Sequence, residues 1–266
     1  MKKNIFFDYG YNSSIEEKAK LIKETGFDGV FLFADSLFEE KYAMAVKYGL
    51  NVETIHLPFQ KVCNLLWIDD EMQNVKAREY VETIKKWIRI ASEKHIDKVV
   101  FHLSQSLTPP PINKIGFERI SEILSECEKY NVYLALENLR YLEYLDETLA
   151  NVKSKYLICC FDSGHANCFT KNIESYDFEK YKGLIKCLHL HDNHGENDEH
   201  LIPFMGNIDF KKVMYKLKKI NYDGQLTLEI INSKSDYYLN KTLNEKEYLH
   251  MALSAIKRIE DYFNEA

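Results

Sequence analysis

The sequence predicts a (β/α)₈ barrel occupying residues 1–266 as one domain, and three observations carry that prediction. Eight short apolar or β-branched runs of buried parallel-strand type recur along the chain. Amphipathic stretches of helical spacing separate most of them. The length of 266 residues is close to the roughly 250 typical of one such barrel.

The runs are Asn4–Asp8, Gly29–Phe33, Val52–His56, Lys98–Leu103, Val132–Glu137, Leu157–Asp162, Lys186–His191 and Gln225–Ile230. Ser14–Thr25 reads as a helix stopped by Gly26, and Leu37–Tyr48 as one stopped by Gly49, because glycine enters the left-handed conformation that ends a helix. Met72–Lys94 is a long helix with Tyr80, Ile84, Trp87, Ile88 and Ala91 on one face. Gly116–Tyr130, Phe210–Ile220 and Glu245–Phe263 repeat the pattern. Pro109-Pro110-Pro111 forms a stiff loop after the fourth run. No GxGxxG or GxxxxGK[ST] follows any strand, which removes the usual signs of a nucleotide-binding sheet.

Composition narrows the function classes. Hydrophobic residues make up 45% and charged residues 29%, as in a folded domain with an ample core, and the formal net charge of -6 offers no basic excess for a nucleic-acid backbone. No apolar run reaches the length of a signal-peptide core or a membrane span, so a cytoplasmic protein is expected. The six cysteines contain no CxxC pair and read as reduced, mostly buried thiols.

Catalytic groups of such barrels gather at the C-terminal ends of the strands. Reading those ends in order gives His56, His102, Glu137-Asn138, Asp162 with His165, His189-Leu190-His191-Asp192, and Glu229. Six consecutive strands therefore finish in His, Glu or Asp. Carboxylates crowded into a cleft repel one another, and a divalent cation resolves the conflict. A mixed nitrogen and oxygen ligand set without thiolate suits Zn²⁺ or Mn²⁺, with Co²⁺ and Fe²⁺ of the same type, better than Ca²⁺. Asp198 and His200 lie two apart, so an extended segment turns both the same way, as it does His189 and His191. Of the latter two, His189 is the expected ligand and His191 a partner of a carboxylate or of substrate. For His56 and His102 the alternatives of metal ligand and core histidine both stand. Asp162 is equally suited to cap the following helix, and Asp198 and His200 to lie in an ordinary polar loop. Arg140, three residues past Glu137, is a candidate for a substrate phosphate or carboxylate, with a surface ion pair as the alternative. Phe59 and Trp67 are candidates to stack on a sugar or cover the site, with helix packing as the alternative for Trp67.

Glu137-Asn138, Phe161-Asp162-Ser163-Gly164-His165, His189-Leu190-His191-Asp192, Asp198-Glu199-His200, Gly206-Asn207-Ile208-Asp209 and Leu228-Glu229 together resemble the xylose-isomerase-like TIM-barrel superfamily, which holds sugar-phosphate isomerases and epimerases and the endonuclease IV enzymes. The resemblance implies, for the epimerase branch, one metal held by Glu137, Asp162, His189 and Glu229. Glu137 and Glu229 would also be the catalytic pair, one removing a proton beside a carbonyl and the other returning it to the opposite face, while the metal stabilises the ene-diolate. His165 would contact the sugar.

For the endonuclease IV branch the resemblance implies up to three zinc ions on His56, His102, Glu137, Asp162, His165, His189, Asp198, His200 and Glu229. The flanking residues depart from the repair enzymes: Leu103-Ser104 follows His102 where those carry Pro-Gly, Leu139-Arg140 follows Glu137-Asn138, and Phe59 replaces a tyrosine. The leading expectation is thus a metal-dependent isomerase or epimerase of a sugar or sugar phosphate, with one to three ions per chain. A multinuclear phosphodiesterase acting on DNA and a non-catalytic metal- or sugar-binding barrel are the alternatives. A homo-oligomer is compatible with the family.

Overall fold

The computed structural model describes residues 1–170, 173–234 and 243–266. Its eight strands are β1 (Lys3–Phe6), β2 (Gly29–Phe33), β3 (Asn51–His56), β4 (Lys98–Phe101), β5 (Tyr133–Glu137), β6 (Leu157–Asp162), β7 (Ile185–His189) and β8 (Leu226–Leu228). They form one sheet in the order β7-β6-β5-β4-β3-β2-β1-β8. Each strand lies beside its predecessor in sequence, and β8 lies beside β1. The far edge meets this end as well, because Leu190, one residue past β7, bridges Leu228 of β8 in parallel, with Leu190 N donating to Thr227 O (2.8 Å) and Glu229 N to Leu190 O (3.1 Å). Sequential parallel strands whose last member adjoins both the first and the seventh are the (β/α)₈ topology the sequence predicts. Among the described residues no helix is long and apolar enough to cross a membrane.

The chain divides into two compact units, residues 1–32, 36–53 and 161–266 in the first, and 33–35 and 54–160 in the second. In the first, β1 pairs with β2 (Ile5 opposite Val30) and with β8 (Ile5 opposite Leu228). Ile5, Val30, Leu188 and Leu228 are fully buried. Helix α1 (Ile15–Thr25) starts in a capping box: Ser14 Oγ accepts from Glu17 N (3.3 Å) and Glu17 Oε2 accepts from Ser14 N (3.1 Å). It stops at Gly26, whose φ of 110° only glycine adopts at low cost. Helices α2 (Phe38–Lys47), α6 (Ser163–Phe169), α7 (Phe210–Lys219) and α8 (Glu245–Glu265) complete this unit. A buried polar layer crosses it: Asn4 Nδ2 donates to Glu53 Oε2 and to Gln225 Oε1 (both 2.8 Å), and Thr227 Oγ1 donates to the same Glu53 oxygen. Period-2 reasoning did not find Glu53, because its only sequence signal is a charge inside an apolar run.

In the second unit β4 pairs with β5 along its whole length, and β5 with β6, setting Glu137 opposite Cys160. Helices α3 (Glu71–Glu93) and α4 (Lys114–Tyr130) lie against each other, joined by Arg89 to Glu126 and Lys85 to Glu122. The structure adds α5 (Leu142–Asn151) and a 3-10 segment, Gln60–Trp67, to the predicted helices. Neither of these carried a readable signal, and the seven-residue α6 was marked only by its Asp162 cap. Tyr141 at the start of α5 makes no side-chain cap, and α6 is too short to show a period.

Trp67 corrects one expectation. It is 1% exposed, its Nε1 donates to Leu103 O (2.6 Å), and its ring meets Phe117 and Tyr144 edge-on. It is a packing residue with no face left for a sugar. Helix α4 approaches it closely only because residue 116 is glycine, where an added Cβ would stand 2.1 Å from the indole. Gly116→Ala is expected to cost about 1–3 kcal/mol through overpacking, a fall in Tm of a few degrees by calorimetry for a chain of this size. An unchanged Tm would show that the contact relaxes freely.

Candidate functional site

In the second unit, the ends of β3, β4 and β5 deliver His56, His102 and Glu137. All three are buried. His102 Nε2 lies 2.9 Å and His56 Nε2 3.3 Å from the same carboxylate oxygen, Glu137 Oε2. One ligand atom from each of the three lies within 4.8 Å of the others. The tautomer of His56 follows from its other nitrogen. Nδ1 is 3.0 Å from Leu57 O, and a carbonyl only accepts, so Nδ1 carries the hydrogen. In the neutral ring Nε2 then directs a lone pair at a carboxylate oxygen. Two lone pairs facing each other repel unless a proton or a cation lies between them. Phe59 and Phe33 border this group: Phe59 has its ring centroid 4.9 Å from both imidazoles, and Phe33 stands edge-on to His56 at 5.2 Å.

The first unit holds the remaining groups. His189, stacked on Phe31 at 4.6 Å, places Nδ1 3.3 Å from Glu229 Oε2. Asp162 caps α6, its Oδ1 accepting from His165 N (2.6 Å), and the same oxygen lies 3.1 Å from His191 Nε2. Asp162 thus makes the cap that the sequence allows while its carboxylate also faces His191. His165 Nδ1 is 3.7 Å from Asp162, and its Nε2 is 3.8 Å from Asp198. His200 repeats the argument made for His56. Its Nδ1 donates to Glu229 O (2.8 Å), so in the neutral ring the lone pair of Nε2 faces Asp198 Oδ2 at 3.0 Å. Asp198 Oδ1 makes no hydrogen bond. Asp162, His165 and His191 form one close group of donor atoms, and His191, Asp198 and His200 another. Oxygen and imidazole donors grouped this closely could hold a divalent cation.

Burial opposes charge on His191, but Asp162 first, then Asp198 and Glu229, outweigh it and raise its pKa above the ordinary histidine value. Burial alone would raise Asp198, yet the imidazoles of His200 and His165 hold it well below the usual carboxylate range.

His191 is fully buried, with Nε2 3.1 Å from Asp162 Oδ1 and 3.6 Å from Asp198 Oδ1. Asp198 and His200 come together by a route other than the one predicted. His200 has a φ of 49°, so the segment is not extended and the two-residue period does not apply. Arg140 is exposed just beyond β5. Sequence reasoning placed Asp192 at the end of the seventh strand but gave it no role, and it organises this loop. It accepts from the backbone N–H groups of Asn193 (2.9 Å), Phe204 (2.9 Å) and Ile208 (3.1 Å), and burial raises its pKa despite those donors. Asn167 Nδ2 ties the same loop to Asn193 Oδ1 (2.8 Å) and Asn207 Oδ1 (2.7 Å).

The strand order defines a (β/α)₈ barrel, and each unit carries carboxylate–imidazole groups at its strand ends. The chain belongs to the xylose isomerase-like TIM barrel family, which it matches over residues 19–258. It is 32% identical to the uncharacterized protein MJ1311 of Methanocaldococcus jannaschii, across 79% of this chain and 75% of that protein. With fructoselysine 3-epimerase of Shigella flexneri it shares 26% identity over 87% of this chain and 90% of the enzyme. Among solved structures, a D-tagatose 3-epimerase-like protein superposes with a TM-score of 0.74 at 27% identity, covering 100% of this chain and 99% of that one.

Proposed function

We propose that this protein is a metal-dependent epimerase or isomerase of a sugar or sugar phosphate. The observation that carries the reading is the pair of histidines, His56 and His200, whose Nδ1 atoms face backbone carbonyls and whose Nε2 atoms face the carboxylates of buried Glu137 and half-buried Asp198. Such a group is built for a cation, and relatives named as sugar epimerases make proton transfer beside a carbonyl the favoured chemistry. Glu137, Asp162, His189 and Glu229 are the proposed ligands of one divalent ion, Zn²⁺ or Mn²⁺. When bound, that ion supplies the positive charge that polarises the substrate carbonyl.

The protein's own residues do the rest. Glu137 and Glu229 form the proton-moving pair: one carboxylate takes the proton from the carbon next to the carbonyl, and the other delivers one to the opposite face. His165 is proposed to hold a sugar hydroxyl and Arg140 a substrate phosphate or carboxylate. Phe59 would pack against the apolar face of the sugar ring. His191 would act through Asp162 rather than on substrate.

A second reading rests on a specific surplus. His165, Asp198 and His200, with His56 and His102, exceed what one ion needs, and such a set suits a multinuclear phosphodiesterase. Two measurements separate the readings. Elemental analysis of protein purified without chelator counts the ions, and incubation with a panel of ketoses and ketose phosphates in heavy water detects deuterium entering at the inverted carbon. Label in the sugar is the expected result. No exchange across the panel, with cleavage of an abasic-site duplex and two or three ions per chain, would replace the proposal with the second reading.

A further inference from the structure

Six described residues other than glycine have positive φ, and three of them, His95, Asn131 and Asn221, stand at helix ends, where a left-handed residue is ordinary. Two of the others lie four residues apart in the loop after β7: His200 (φ 49°) and Phe204 (φ 76°). Phe204 has neither of the features that ease this conformation, the missing Cβ of glycine or the short polar side chain of asparagine. A strained backbone of this kind persists only where its surroundings hold it. Two contacts hold Phe204. Its N–H donates to Asp192 Oδ2 (2.9 Å). Its ring lies against the Arg258 guanidinium of α8, whose Cζ is 4.1 Å from the ring centroid. Arg258 Nε and Nη2 donate to Tyr262 Oη (2.9 and 2.7 Å), and no carboxylate pairs with this guanidinium among the described residues, so aromatic rings are what its charge faces.

Asp192 connects this clamp to the site. Its side chain grips Phe204, while its backbone pairs with Leu201 in both directions, Asp192 N donating to Leu201 O (2.8 Å) and Leu201 N to Asp192 O (3.0 Å). Leu201 follows His200 directly. His200 is left-handed where its Nδ1 donates to Glu229 O (2.8 Å) and its Nε2 faces Asp198 (3.0 Å). We infer that Phe204 and Arg258 are positioning residues for His200. Arg258 holds the strained Phe204 in its turn, Asp192 passes that restraint to Leu201, and His200 keeps the backbone that sets its ring between Glu229 O and Asp198. Both act through the loop: Arg258 is exposed on α8, and the Phe204 ring stands edge-on to Phe210 and Tyr262. The inference rests on the proposed function only for its kinetic arm, since the way the His200 ring is held is a property of the folded chain.

Nitrogen-15 NMR of the full, chelator-treated chain with labelled histidine tests the positioning. A His200 Nδ1–H bonded to a carbonyl gives a signal protected from solvent exchange, assigned by its loss in His200→Gln. Arg258→Met keeps an apolar stem and removes the charge, and should speed exchange of that hydrogen by about threefold to tenfold, the size of a cation–π contact. Arg258→Lys, which retains a cation, should keep most of the protection. Phe204→Gly takes a φ of 76° without strain, so adding Arg258→Met to it should have no further effect. The Nδ1 hydrogen of His56, held by Leu57 O, is the control and should stay unchanged throughout. In the kinetic arm, kcat for deuterium entry into a ketose should fall in Arg258→Met and be unaffected by the same change in the Phe204→Gly chain. Arg258 is exposed, so the fold should survive, as circular dichroism would verify. Two results overturn the inference: an unchanged His200 signal in Arg258→Met, or an effect of Arg258→Met that is equal with and without Phe204→Gly, which would make the contact ordinary packing. The expected NMR result without labelling of any ketose removes the proposed activity and leaves this inference standing.

Discussion

Glu137→Gln is expected to reduce kcat by about 10³-fold or more, within the range that general acid–base groups contribute, and to leave the barrel folded. The carboxylate is buried with one oxygen within 2.9 Å of His102 and 3.3 Å of His56. An amide keeps its volume and shape, so packing is retained. It removes the negative charge that a cation at this point requires and the basicity that lets the group carry a proton. Three readouts distinguish those losses: turnover of the ketose that labels in heavy water, metal content by elemental analysis, and the circular dichroism spectrum. Lost turnover with retained metal assigns Glu137 to proton transfer; lost turnover with lost metal assigns it first to ligation. A folded, fully active variant removes the residue from the mechanism.

Metal removal is the second large effect. A site loaded at about a thousand times its dissociation constant stabilises the folded chain by about 4 kcal/mol. For a chain of this length each kcal/mol moves Tm by about 2–4 °C, so chelation should lower Tm by roughly 10 °C. Restoring Zn²⁺ or Mn²⁺ should return both Tm and activity and release protons, because imidazole and carboxylate ligands bind deprotonated. The proton release has a local cause: without a cation, a proton between imidazole and carboxylate would take its place at His56–Glu137 and at His200–Asp198. Identical Tm and activity before and after chelation would remove the cation from the proposal.

Much of the fold was legible because the period of a buried strand and the period of an amphipathic helix are properties of local sequence. All eight strands lie within two or three residues of where those periods place them, and Ser14 and Gly26 mark the ends of α1 by cap chemistry. The uncapped α5 was not legible, and of the short α6 only the Asp162 cap was, since seven residues are too few to show a repeat. Strand-end logic also located the donor residues, because a barrel sends its strand ends to one side.

What the amino-acid order determined by itself was therefore which side chains leave the strands as histidine or carboxylate. Only the tertiary structure decided what each one faces. His56 and His200 acquire their tautomers from the carbonyls of Leu57 and Glu229, the second of these 29 residues away. Trp67 turned inward onto Leu103, and His200 reached Asp198 through a left-handed backbone rather than an extended one. Hydrogen-bond direction, burial and the sign of φ depend on neighbours distant in sequence, and no local period encodes them.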